Sequence, residues 1–159
     1  MRDPGVILDA RDLSRALSDL IRVVQFRDRD RACCYDVSVS QCYALKAVVE
    51  RGPLAVNDLA AELYLDKSTA SRVANGLEEK GYVARERDAA DGRVIRLLAT
   101  SEGAELHGRI EGDLAREYAE LLTDFDPEVR AAITRLLGRL AVSFSARVET
   151  SGGSCCRVG

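Results

Sequence analysis

The stretch 56–99 constrains the fold of this chain more than any other. Residues 57–63 form a short apolar-periodic segment, and a tight Tyr64-Leu65-Asp66 connection leads into a second helical pattern over 67–80. Asp66 is placed to cap that helix, because its carboxylate can accept from the unpaired amides of the first turn. Ala70, Val73, Ala74 and Leu77 fall at i, i+3, i+4 and i+7 and predict one buried stripe. The opposite face carries Lys67, Ser68, Thr69, Ser71, Arg72 and Asn75, short polar and cationic side chains suited to phosphates and base edges. Gly81 is a helix-ending glycine. Two strand-like runs follow, 82–87 and 93–99, joined by Asp88-Ala89-Ala90-Asp91-Gly92, whose Asp-Gly signals a hairpin. Helix, turn, helix and basic hairpin predict a mainly α fold with a small β-wing, a winged helix-turn-helix built to contact DNA.

The flanks are helical. A pattern over 6–30 has Leu13, Leu17, Leu20 and Val24 along one stripe, and ends in an alternating-charge run, 27–31, that reads as a solvated helix terminus. Ser38-Val39-Ser40-Gln41 is a capping box, which puts Val37 and Cys42 at the two positions of a hydrophobic staple; that helix stops at Arg51-Gly52-Pro53. Thr100 is placed to cap a long helix marked by Leu106, Ile110, Leu114, Tyr118, Leu121 and Leu122. Asp126-Pro127-Glu128 starts a last one, marked by Val129, Ile133, Leu136, Leu137, Leu140, Phe144 and Val148. These stripes are too wide to cover only a small wing domain, so the terminal helices are expected to pack against a second copy of the chain.

With these residues in place, the chain resembles the MarR family of bacterial transcriptional regulators. The resemblance is carried by Leu59-Ala60, by 66–72 opening the second helix, by 77–83 leaving it, by the wing 85–93 with Asp91 and Arg93 in Asp-x-Arg spacing, and by the exit 97–103. Val56 departs from the pattern, where a capping Ser or Thr is expected, so the first helix of the motif is expected to start loosely. The resemblance spans about 13–148 and implies a two-fold dimer whose terminal helices interlock. The expected organisation is an N-terminal dimerisation helix (1–35), the winged domain (36–100), C-terminal dimerisation helices (101–149) and a flexible tail (150–159). The expected DNA contacts are Lys67, Ser68, Thr69, Ser71, Arg72, Asn75, Arg87, Asp91 and Arg93. Of these, Arg93 is expected to enter the minor groove, oriented by Asp91.

Composition bounds the alternatives. A length of 159 residues suits one domain with a real core, and 47% hydrophobic with 31% charged residues describes a soluble globular chain. No apolar run reaches the roughly 18 residues of a membrane span, and the N-terminus lacks a signal-peptide core, so a cytoplasmic location without membrane contact is expected. The net charge of −3 argues against tight non-specific DNA binding, yet Lys67, Arg72, Arg85, Arg87, Arg93 and Arg96 cluster in the motif. An enzyme is not expected: His107 has no nucleophile and carboxylate pattern around it, and no glycine loop cradles phosphate.

The five cysteines, Cys33, Cys34, Cys42, Cys155 and Cys156, all avoid the winged motif. Structural disulfides are disfavoured in a cytoplasmic chain, which points to metal or redox chemistry. Cys42 in the first turn of a capped helix is expected to be stabilised as a thiolate, and Arg29 and Arg31 to do likewise for Cys33 and Cys34. Adjacent cysteines suit a soft ion taking two or three thiolates, such as trivalent arsenic, trivalent antimony or mercury. No cofactor is required on this reading. The expectation is a homodimeric repressor on a pseudo-palindromic operator in double-stranded DNA, released when its cysteines bind a soft metal(loid). A thiol-oxidation sensor and a regulator responding to a small aromatic or phenolic ligand are the alternatives.

Overall fold

The computed structural model describes residues 4–32 and 34–150. Its elements in chain order are α1 (Pro4–Ala32), α2 (Val39–Arg51), β1 (Leu54–Ala55), α3 (Val56–Glu62), α4 (Lys67–Glu79), β2 (Val83–Arg87), β3 (Ile95–Ala99), α5 (Ser101–Leu122) and α6 (Pro127–Thr150). The fold is mainly α with one small antiparallel sheet, as the hydrophobic periods predict, in the order β1-β3-β2. Two compact units are present: the first extends to Gly112 and the second begins at Asp113, within α5.

Local signals set most boundaries. At α2, Gln41 N donates to Ser38 Oγ (3.2 Å) while Ser38 N donates to Gln41 Oε1 (2.9 Å), the reciprocal box expected of this tetrapeptide. Thr69 N donates to Asp66 Oδ1 (2.9 Å) at the start of α4, and Gly103 N to Thr100 Oγ1 (3.0 Å) at the start of α5. Helix α4 ends in a Schellman closure: Gly81 takes φ of +78°, its N–H reaches Glu78 O, and Tyr82 N reaches Leu77 O. Helix α3 ends the same way, with Tyr64 N bonded to Ala61 O and Leu65 N to Ala60 O. There the left-handed residue is Tyr64, at φ +53°, where glycine is the usual occupant.

Three expectations are corrected. The sheet has a third strand, β1, pairing Leu54 with Leu97 and Ala55 with Arg96. Two residues are too few for a period-2 pattern to show. Helix α3 starts without a Ser or Thr cap, at Ala55, but its entry is anchored: β1 leads directly into it, and Asp58 Oδ2 reaches back to accept from Ala55 N (3.3 Å). The wing connection is longer than the expected five residues 88–92. Strands β2 and β3 pair from Val83 with Ala99 to Arg87 with Ile95, leaving residues 88–94 as the connection, and Gly92 is not at positive φ.

The core of the first unit lies around α2. Ala44, Leu45, Ala47 and Val48 pack with Leu59 of α3, Ala74 and Leu77 of α4, Val83 and Leu97 of the wing strands, and Leu106 of α5. Leu45, Leu59, Leu77, Leu97 and Leu106 are the largest fully buried side chains, and each such burial stabilises by about 1.5–3 kcal/mol. The staple positions Val37 and Cys42 join this cluster. Helix α1 is tied to α2 where Tyr43 donates to Asp28 Oδ2 (3.1 Å). The rest of α1 leaves apolar side chains in solvent, Leu8 at 60% and Phe26 at 66% exposed. In the second unit α6 does likewise, with Leu136 at 58% and Val142 at 72%. The expected tail, and with it Cys155 and Cys156, falls at 151–159 outside the described residues; Cys33 is outside them too.

Candidate nucleic-acid interface

Helix α4 buries Ala70, Ala74 and Leu77 against the core and half-buries Val73, the predicted stripe. The other face therefore turns outward: Lys67, Ser68, Arg72 and Asn75 are exposed, and Thr69 and Ser71 half-exposed. Ser68, Ser71, Arg72 and Asn75 stand at i, i+3, i+4 and i+7 and form one ridge. Its first turn is ordered by a relay: Arg72 Nη2 donates to Thr69 Oγ1 (3.2 Å), which donates to Asp66 Oδ2 (2.6 Å). The Thr69 hydroxyl, followed by the Thr69 backbone N–H, holds the Asp66 carboxyl below its ordinary pKa of 3.8.

The wing is stiffened from inside its turn. Asp88 Oδ1 accepts from Ala90 N (2.9 Å) and Asp91 N (3.0 Å), Asp88 Oδ2 pairs with Arg96 Nε, and Arg87 Nη1 donates to Gly92 O (2.9 Å). The Arg96 guanidinium, followed by those two amides, pulls the Asp88 pKa down to about 2. Asp91 Oδ1 accepts from Arg93 N (3.0 Å), so Asp91 fixes the backbone at Arg93 and leaves its guanidinium free to reach outward. Among the described residues the side chains of Arg93 and Lys67 have no hydrogen-bond or ion-pair partner.

The cationic cluster divides on this geometry. Arg96 is committed to Asp88. Arg85, on β2, reaches across to α4, where Nη1 pairs with Glu78 Oε2 and Nη2 donates to Asn75 Oδ1 (2.6 Å). Lys80, at the end of α4, clasps the entry to α2 through Asp36 O, Asp36 Oδ1 (3.4 Å) and, in the first turn of α2, Gln41 Oε1 (3.3 Å). The partners of Arg85 and Lys80 lie on other elements, so periodicity did not reveal them. Of this cluster, Lys67 at the start of α4 and Arg93 in the wing are the cations left unengaged among the described residues.

Residues 35–94 match the family model described as the MarR family. Over these residues the chain is similar to MarR-family winged helices. Its class is that of MarR-type DNA-binding transcriptional regulators. The HTH-type transcriptional regulator YxaD of Bacillus subtilis (strain 168) is 29% identical over 128 residues, covering 80% of this chain and 90% of its own length. A MarR family protein from Bacillus stearothermophilus has a similar fold, with a TM-score of 0.76 at 24% identity, covering 91% of this chain and 99% of that one. Streptococcus pneumoniae FabT, solved in complex with DNA, has a TM-score of 0.72 at 19% identity, covering 86% of this chain and 97% of FabT.

Outside the MarR-type motif the cysteine expectations divide. Cys34 is exposed and Cys42 half-buried, both free thiols. The expected thiolate at Cys42 is corrected: burial pushes its thiol pKa up, and the Asp28 carboxylate pushes it further. Cys42 sits at the fourth helical position and its own N–H is already bonded to Ser38 O (2.9 Å), past the unpaired amides that favour an anion. Among the described residues no group of three or more His, Cys, Asp or Glu side chains is assembled to hold a metal ion. His107 stands within 4.0 Å of Glu50 Oε1, beside the Lys46 contacts to Glu50 and Glu111. No helix is long and apolar enough to cross a membrane among the described residues.

Proposed function

We propose that this chain acts as a homodimeric transcriptional repressor that lays α4 in the major groove of a pseudo-palindromic operator and Arg93 in the adjacent minor groove. The observation that carries the reading is the exposed ridge Ser68, Ser71, Arg72 and Asn75 beside a braced wing whose Arg93 is unengaged. Serine hydroxyls and the Arg72 guanidinium match base-edge donors and acceptors and phosphate oxygens. The solvated apolar side chains of α1 and α6 support pairing with a second copy, since faces of this kind are normally covered. A two-fold protein reads two-fold DNA, with half-sites about one helical turn apart.

For the inducer, we propose a soft metal(loid) bound by thiolates that include the exposed Cys34. To empty the operator, the ion must favour the DNA-incompetent dimer by about 3 kcal/mol, since equal affinity for both states shifts nothing. In vitro selection of duplexes by the full chain, with sedimentation at the same concentration, tests the DNA-binding reading. A dimer that enriches an inverted repeat is expected; a monomer, or no enriched sequence, would refute it. Arsenite, antimonite or mercury should then release the duplex and spare a Cys34→Ser variant. Release by peroxide alone would replace the metal reading with oxidation, and release by phenolic compounds alone with a small-molecule site.

A further inference from the structure

The ridge of α4 is not free to choose how it presents Asn75. An asparagine amide offers a carbonyl oxygen that accepts and an NH2 that donates, and it can turn either outward. A guanidinium donates only. Because Arg85 Nη2 lies 2.6 Å from the Asn75 amide, the atom facing it is the carbonyl oxygen Oδ1. The same guanidinium is anchored at its other nitrogen by Glu78 Oε2, three residues further along α4, so the fork from β2 grips the helix at two points. Arg85 is partly sheltered and Asn75 exposed, so the wing strand holds Oδ1 while the NH2 group is left for solvent or DNA.

We infer that Arg85 is a positioning residue that locks Asn75 as a hydrogen-bond donor toward DNA, so that Asn75 reads an acceptor and does not make the two-bond contact to adenine. That two-bond contact needs Oδ1 and Nδ2 turned together to one base edge, against the adenine 6-amino group and N7. Here Oδ1 is turned to the wing. The partner is thus an acceptor on the duplex: a purine N7, guanine O6, thymine O4 or a phosphate oxygen. The wing thereby sets what the recognition helix can read, beyond carrying its own arginine. This rests on the proposed DNA-binding reading, and deepens it.

The test uses the full chain and the duplex enriched by selection, resynthesised with single 7-deazapurines, 2-aminopurine in place of guanine to remove O6, purine lacking the 6-amino group, 4-thiothymine, inosine controls and methylphosphonate linkages. One acceptor position is expected at which the change weakens the wild-type protein about tenfold and the Asn75→Ala protein not at all. A phosphate partner shows with methylphosphonate and a base partner with the base analogues. In Arg85→Met the dependence on that acceptor should fall below about threefold, while dependence at other positions is kept, a pattern that general loosening of the wing does not give. Dependence of the wild type on an adenine 6-amino group at the position that Asn75→Ala silences would overturn the inference. So would the absence of any acceptor position tied to Asn75, or an unchanged dependence in Arg85→Met. The first two comparisons need no Arg85 variant to fold. A selection that enriches no duplex removes the DNA-binding reading itself, and the inference with it.

Discussion

Replacing Gly103 with alanine would place a methyl group 2.0 Å from the carbonyl oxygen of Tyr82 and 3.2 Å from Leu45 Cδ1. The nearer atom is backbone, in the segment that leaves α4 for the wing, so it cannot swing aside. Relief needs α5 to back away by more than about 1 Å. Two bonds span that gap: Thr100 N to Tyr82 O (3.1 Å) and Thr100 Oγ1 to Gly81 O (2.7 Å). Losing both costs about 0.5–1.5 kcal/mol each, and forcing the extra volume about 1–3 kcal/mol. Against this stands a gain of about 1 kcal/mol in helix propensity. The net is a loss of about 1–5 kcal/mol, which lowers Tm by about 2–20 °C for a chain of this size. Gly76→Ala provides the contrast, because its methyl would meet only Gln41 Nε2, at 2.4 Å, the end of a flexible side chain. Swinging Gln41 away weakens the α2 capping box by about 1 kcal/mol and the propensity gain offsets it, so the net change stays within about 1 kcal/mol. Thermal unfolding followed by circular dichroism at one protein concentration measures both. A Gly103→Ala protein as stable as wild type would refute the close approach of α5 to the wing.

Three further outcomes follow from named groups. Asp88 has a depressed folded pKa, so its contribution to the wing is fully present above its ordinary 3.8 and is lost as pH falls through about 2; Asp88→Asn should flatten the stability profile between those values, and an unaltered acid limb in denaturant titrations would reject the Asp88–Arg96 pairing. Cys42, with its raised thiol pKa and half-buried position, should be alkylated by iodoacetamide several-fold more slowly than Cys34 at pH 8, as peptide mass spectrometry would report. Faster labelling of Cys42 would contradict its burial beside Asp28. Gly81→Ala should destabilise by about 1 kcal/mol in the same melts, because the closure of α4 requires its positive φ; no loss would mean the helix ends otherwise.

What the sequence revealed was local. Ser38 with Gln41, Asp66, Gly81 and Thr100 act on amides and carbonyls within a few residues, so their types and spacing disclose helix ends. The stripe Ala70, Val73, Ala74 and Leu77 orients α4 for the same reason, and with it the ridge that faces away from the core. What stayed hidden depends on partners from other elements. The thiol of Cys42 is pushed up by burial and then by Asp28 on α1, opposite to the direction its helix position implied. Arg85 and Arg96 looked like free cations until Glu78, Asn75 and Asp88 were placed beside them. Tyr64 closes α3 in a conformation that marks glycine in a sequence, so the closure carried no signal.

In the proposed complex, α4 and the wing together bind duplex DNA, with Arg93 as the wing's unengaged cation. The most direct measurement is operator affinity against salt concentration for wild type and Arg93→Ala. Arg93 makes no side-chain contact that the fold needs among the described residues, so folding should be unaffected and the loss confined to DNA. Weaker binding is expected for Arg93→Ala, with a log–log salt slope shallower by about one unit per subunit, from the counterions one arginine displaces. Equal affinity and an equal slope in the two proteins would contradict it.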